Sequence, residues 1–335
     1  TMMNQIYEGL VAFNPATLET EPCLAKSWDI SKDGKTIHFH LRDDVYFHPH
    51  KDFPEGIKFT PEDVIYNIML ACSPMDNKPT YAYSSIYKET LKGAKAFYNK
   101  ETDHIEGLSV TGNTVTFELL ERDINFIDKL AQTQAKIVSK KIVESGLETD
   151  LIGTGPFRFS AYTEVDGEMN IVLVKNNNYY QKDENGNQLP YLDSLVFLIE
   201  NDNKKLLEKF EKEEILLLDQ LTTHEITTLL SEGRIEYFNS TPPKLILDRK
   251  PLLATQYYVF NLNEEIFQNI LVRKAINYAI DREDIVKNIL HNQAYSHGNA
   301  GIVPPDAFGG YNTELVRTSS YSYNPQKARR LFAQA

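Results

Sequence analysis

Residues 25–47 read AKSWDISKDGKTIHFHLRDDVYF, and the fold follows from how this stretch is read. Along 35–42, Ile37, Phe39 and Leu41 alternate with Thr36, His38, His40 and Arg42, the period-two pattern of a strand with one buried face. The run before it, 25–30, is joined through Ser31, Lys32, Asp33 and Gly34, residue types that favour tight polar turns. The stretch is therefore expected to form an antiparallel hairpin.

Working outward, a second hairpin is expected around Gly112 and Asn113, with Val115, Phe117 and Leu119 facing one way. Between the hairpins, Thr60 supplies a hydroxyl cap, Pro61 suits the first helical position, and Glu62 and Asp63 place acids in the first turn. Val64, Ile65, Ile68, Met69 and Cys72 then give a helix with one apolar face. Upstream, 5–13 (QIYEGLVAF) is a short apolar piece closed by an Asn14-Pro15 turn, and 79–87 (PTYAYSSIY) is a tyrosine-rich loop or loose helix.

Gly153 and Gly155 bracket Thr154 in a tight turn at a sheet edge, where the chain changes unit. Strands are expected at 157–159, 171–174, 195–199 and 215–218, with a charged helix over 202–214 turning Leu206, Leu207 and Phe210 inward. Residues 257–263 (YYVFNLN) read as an extended run. Two helical patterns follow, one through Leu271, Ala275 and Tyr278, the other capped by Asp281 and carrying Ile285 and Ile289; a last helix starts at Asn324.

Composition narrows the function classes. The 335 residues are 41% hydrophobic, and 47 acidic residues against 35 basic leave a net charge of -12, which argues against nucleic-acid binding and against an anionic membrane surface. No run of about eighteen apolar residues is present to span a membrane. The first residues, TMMNQI, have neither the basic nor the apolar region of a signal peptide. Cys23 and Cys72 are too few for a disulfide framework or a zinc site; they read as small buried hydrophobes, with a single bridge between them left open.

The nucleophile elbow, the phosphate-loop lysine motif and the paired-histidine zinc motif are all missing, so an enzyme is not expected. His38, His40, His48 and His50 lack acids or thiols at matched spacing and read as a solvated strand face rather than a metal site. No cofactor is expected. The aromatic clusters, Tyr81, Tyr83 and Tyr87 in one place and Tyr257 and Tyr258 in another, are candidates to line a ligand cleft, against the plain reading of ordinary core and surface tyrosines.

These residues resemble a family. Ala25, Ser27, Trp28, the turn with Asp33 and Gly34, then Phe39, Leu41, Arg42, Asp44 and Val45 match the signature of bacterial extracellular solute-binding proteins of family 5, the oligopeptide- and dipeptide-binding components of ABC importers. In preserved order, 6–10 (IYEGL), 59–64 (FTPEDV), 153–157 (GTGPF) and Asn261 with 272–282 (VRKAINYAIDR) resemble its other motifs, so that nearly the whole chain is covered.

The resemblance implies an α/β, two-lobed, periplasmic-binding-protein-like fold of the class II type, with an extra inserted domain and an incomplete second lobe. Residues 1–13 and 151–255 would form the first lobe's main sheet, 14–150 the inserted domain, and 256–335 the start of the second lobe. The family's first strand is expected before Thr1, and the rest of the second lobe, with the groups that hold a peptide's termini, after Ala335. By the same resemblance Tyr81 and Tyr257 take ligand-facing places and Asp219 and Gln220 lie near the ligand-facing end of a first-lobe strand; Tyr83 and Tyr258 are candidates through the aromatic clusters they share with Tyr81 and Tyr257.

The function implied is a monomeric receptor that captures peptides in the cell envelope. It would deliver them to an ABC permease and its ATPase subunits, touching the membrane only through the permease or a lipid anchor outside this chain. Other cargo (a nickel chelate, haem or an oligosaccharide) and reuse of the fold as a sensor domain of a regulator remain open alternatives.

Overall fold

A computed structural model describes residues 2–165, 167–218, 221–229, 235–248, 255–294 and 313–335. The chain divides into two compact units, residues 1–201 and 202–335.

In the first unit the expected hairpin forms. Strands β1 (Val11–Phe13) and β2 (Thr20–Pro22) pair with each other, and β3 (Ala25–Ile30) runs antiparallel to β4 (Thr36–Leu41), placing Trp28 opposite Phe39 and Ile30 opposite Ile37. Gly34 takes the left-handed conformation (φ 72°) that closes the turn, and its N–H donates to Ser31 O at 2.9 Å. The second hairpin, β5 (Leu108–Thr111) and β6 (Thr114–Glu118), docks with β6 against β4, giving the order β3-β4-β6-β5.

Alternation then decides the core. Ile37, Phe39 and Leu41 of β4 and Val115 and Phe117 of β6 are buried on one face, where Phe117 meets Phe39 edge-on at 5.3 Å and Phe126 at 5.7 Å. On the opposite face His38 and His40 exchange hydrogen bonds with Thr116 and Thr114 across the ladder, at 2.8 and 3.0 Å.

The helix Pro61–Cys72 covers this sheet with Val64, Ile68 and Cys72 buried. Asp63 does more than cap it. Its Oδ2 accepts from Thr60 N–H (2.8 Å) and from the Thr60 hydroxyl (3.0 Å), and its Oδ1 accepts from the N–H of Lys140 (2.8 Å), so one buried carboxyl ties the helix start to a distant segment. Asn67 repeats the tie through Val138, donating to its carbonyl at 2.7 Å and accepting from its N–H at 3.1 Å. Replacing Asp63 by alanine leaves two backbone donors without their acceptor, and urea denaturation should register a loss of about 2–3 kcal/mol with an unchanged slope. Cys23 and Cys72 are both buried free thiols, which settles the open question of a bridge between them.

A second sheet, β7 (Phe157–Val165), β8 (Glu168–Lys175) and β9 (Ser194–Ile199), runs antiparallel in sequence order. It has its own small core of Ile6, Tyr7, Phe157 and Leu173. A bulge between Phe159 and Ala161 shifts the register, and the rings of Phe159 and Tyr162 meet at 4.9 Å.

In the second unit the helix Asn203–Glu211 is capped by Asp202, whose side chain accepts from Lys204 N–H at 2.9 Å. The helix Ile270–Ala279 packs on the helix Pro325–Gln334, started as expected by Asn324. Two expectations fail here. Residues 215–218 and 257–263 form no strand, and none of the described residues makes a strand pairing with them; Leu216, Leu217 and Val259 stand exposed. β-Propensity expresses only a side chain's fitness for a pleated surface, and without a neighbouring ladder it does not make a strand.

Candidate functional site

The tyrosine-rich segment of the first unit is neither loop nor regular helix. Thr80 anchors its start: the hydroxyl donates to Ala71 O at the end of the helix Pro61–Cys72 and accepts from Tyr83 N–H at 3.0 Å. A single π-helical turn follows, Tyr83–Tyr87, closed by Lys88 N–H donating to Tyr83 O at 2.8 Å. Such turns recur at functional sites because the extra residue re-aims the side chains around it.

Here the re-aiming separates neighbours. Tyr83 is buried, its ring stacked on Tyr98 at 4.3 Å and 11°, and Tyr87 is buried as well, whereas Tyr81 is 66% exposed. The expectation that Tyr83 faces a ligand is therefore corrected: its ring belongs to the core. Two aromatic anchors hold the turn, and Tyr81 is the member presented to solvent.

In the second unit Tyr257 and Tyr258 are 67% and 88% exposed on an irregular run. The segment after them is firmly held. Asn269 caps the helix Ile270–Ala279, accepting from Leu271 N–H at 2.9 Å, and Arg273 donates to the carbonyls of Phe267 and Gln268. Arg282 donates to Asn277 O (3.1 Å), Asn277 Oδ1 (2.9 Å) and Tyr321 O (3.3 Å). Both arginines of the 272–282 motif thus brace backbone. Asp281 caps the following turn as expected, accepting from Asp284 N–H at 3.0 Å. Asp219 and Gln220 lie outside the described residues.

A buried polar centre went unread in the sequence. Glu8 is enclosed at the seam between the two cores of the first unit, and its Oε1 accepts from the hydroxyls of Tyr179 (2.8 Å) and Tyr180 (3.0 Å) and from the Cys23 thiol (3.5 Å). Its Oε2 and the hydroxyl of Thr154, also buried, have no hydrogen-bond partner other than each other among the described residues. Burial raises the Glu8 carboxyl above the ordinary carboxylate range, against the hydrogen bonds that oppose it, and pushes the Cys23 thiol up to about 12.

His48, expected on a solvated face, is buried as well. Its Nε2–H donates to Gly155 O at 2.9 Å and its Nδ1 accepts from Gly153 N–H at 3.3 Å, while desolvation lowers its pKa to about 4. A charged residue inside the apolar run 5–13 was the available signal for Glu8; nothing in the local pattern marked His48.

Comparison with known proteins agrees with this architecture. Residues 19–335 match the profile of the bacterial extracellular solute-binding proteins, family 5 middle. Haemophilus influenzae heme-binding protein A is 30% identical over 99% of this chain, and the Escherichia coli dipeptide-binding protein is 27% identical over 98%. The chain spans 56% and 57% of those proteins' lengths. Among solved structures, DppA of Helicobacter pylori in complex with the peptide STSA is 28% identical with a TM-score of 0.72, covering 98% of this chain and 60% of that one. The mixed helix and sheet architecture is that of periplasmic binding proteins of this type. With the profile matched across nearly its whole length, the chain belongs to family 5 of the bacterial extracellular solute-binding proteins.

Proposed function

We propose that the protein is a solute receptor that captures peptides in the cell envelope and hands them to an ABC permease powered by separate ATPase subunits, binding without turnover. The observation that carries this reading is the likeness over 98% of the chain to the peptide-bound DppA of Helicobacter pylori. The dipeptide-binding protein of Escherichia coli and the oligopeptide-binding protein OppA of Bacillus subtilis support it. Tyr81, Tyr257 and Tyr258 are the ligand-facing side chains in this reading, and Asp219 and Gln220 are candidates from the sequence alone. Each ring offers an apolar face to a peptide side chain and a hydroxyl to its polar ends.

In this reading 1–13 and 151–255 form the main sheet of one lobe, 14–150 an inserted domain and 256–335 part of the second lobe, in a monomer. Backbone hydrogen bonds of the kind strands make would hold cargo of many sequences, since they are indifferent to side chains. Haem is the second reading, because heme-binding protein A of Haemophilus influenzae is among the relatives at 30% identity.

The test is mass spectrometry of small molecules released when the complete gene product, purified natively, is denatured. Peptides of mixed sequence support the receptor reading. A porphyrin with its visible absorbance, or a metal chelate, replaces it. Against the peptides recovered, Tyr81→Ala should weaken binding about tenfold, as loss of an aromatic anchor does. The melting temperature should stay within about 1 °C, because the ring is exposed. Unchanged affinity by calorimetry removes Tyr81 from the site.

A further inference from the structure

Gly153, Thr154 and Gly155 lie between two titratable side chains, His48 and Glu8. On one side His48 grips the turn three times: its own N–H donates to Gly153 O at 2.7 Å, its Nε2–H donates to Gly155 O, and its Nδ1 accepts from Gly153 N–H. Asn176 Nδ2 adds a second donor to Gly155 O at 3.0 Å. Only the neutral imidazole with its proton on Nε2 fits, since a proton on Nδ1 would point at the Gly153 N–H. The charge acting on it is Arg158, which opposes protonation further.

On the other side stands Glu8. Three donors, the Tyr179 and Tyr180 hydroxyls and the Cys23 thiol, converge on Oε1, which leaves the Thr154 hydroxyl for Oε2, and neither of those two atoms has another partner among the described residues. An ionised carboxyl there would be a buried charge met only by neutral donors, the Thr154 hydroxyl among them. A proton on Oε2, aimed at Thr154 Oγ1, satisfies both atoms at once. No cation pairs with Glu8 among the described residues: Arg42 lies 4.5 Å over the Tyr180 ring and holds Asp44 at 3.0 Å, and Lys136 acts on Cys23. The remaining titratable neighbours, Cys23, Tyr179 and Tyr180, are all pushed toward their neutral forms by burial.

We propose that this turn is clamped by two neutral groups, a protonated Glu8 and an uncharged His48, so that the first unit is held most firmly within a bounded pH window, its stability falling toward higher pH through Glu8 and toward lower pH through His48. This goes beyond the peptide reading and does not rest on it. The limbs have opposite signs. Glu8, raised in the fold, contributes fully below about pH 4.5, and that contribution is lost as pH rises toward its folded value. His48, lowered in the fold, contributes fully above about pH 6.5, and that contribution is lost as pH falls toward about 4. Above about pH 4.5, where both groups contribute a slope, the two slopes oppose each other.

The test is thermal unfolding from pH 4 to 9, followed through Trp28, the only tryptophan of the chain and a residue of this unit. Glu8→Gln reproduces the protonated acid, with its amide N–H₂ toward Thr154. The variant should diverge upward from wild type above pH 4.5 by about 3 °C per pH unit, until the wild-type carboxyl ionises. Glu8→Ala should be less stable at every pH. Curves for wild type and Glu8→Gln that run parallel overturn the proposal. Infrared spectroscopy of the wild type from pH 5 to 8 gives a second measurement should the variant fail to fold. A free-acid carbonyl stretch that outlasts the ionisation of the exposed carboxyls as pH rises supports the clamp; a band that disappears together with them overturns it.

Discussion

Replacing Gly153 by alanine should lower the melting temperature of the first unit by about 10 °C or more, a loss on the order of 3–5 kcal/mol. A Cβ at this position would sit 1.9 Å from Ile6 O and 2.7 Å from Ile6 C, contacts with backbone that no rotamer change relieves. The turn lies against Ile6 because Gly155 N–H donates to Ile6 O at 2.8 Å, so moving it away breaks that bond and the grip of His48 together. Gly112 is the control. Its φ of 58° strains any other residue, but nothing lies within 4 Å of its Cβ position, and Gly112→Ala should cost only about 1 kcal/mol. A Gly153→Ala protein that melts within about 2 °C of wild type would show that the close approach is not needed.

Phe117→Ala should cost about 3–5 kcal/mol in denaturant unfolding. The ring is completely buried and touches Phe39 on one side and Phe126 on the other, linking the β3–β6 sheet to the helical segment beneath it. Truncation removes two aromatic contacts and leaves a cavity that neighbours fixed in a sheet cannot close. Val110→Ala, on the exposed side of the same hairpin, should cost under about 0.5 kcal/mol. Equal losses at the two positions would place the core elsewhere.

What was legible in the sequence was whatever local chemistry determines. The alternation through Ile37, Phe39 and Leu41, the cap at Thr60 and Asp63, and the caps at Asp281 and Asn324 all form as read. The ordered motifs identified the family. What failed depended on distant partners. Residues 215–218 and 257–263 have the composition of strands, yet pairing is a property of two segments. Tyr81 and Tyr83 look equivalent two residues apart, and only the π-helical turn and the ring of Tyr98, fifteen positions further on, separate an exposed phenol from a buried one. The burial of His48 depends on a turn more than a hundred residues away, beyond the reach of periodicity.

The first unit has two unequal cores: a large one under the β3–β6 sheet, and one of four buried side chains under β7, β8 and β9. Amide hydrogens in these two sheets should therefore exchange with deuterium at different rates. Those of β7 to β9 are released by a partial opening that leaves Phe39 and Phe117 packed, because breaking a small apolar cluster exposes less surface to water than breaking a large one. The 153–155 turn stands at the border of the two exchange classes, so a protease that enters the chain during such an opening meets the carboxyl side of that border first.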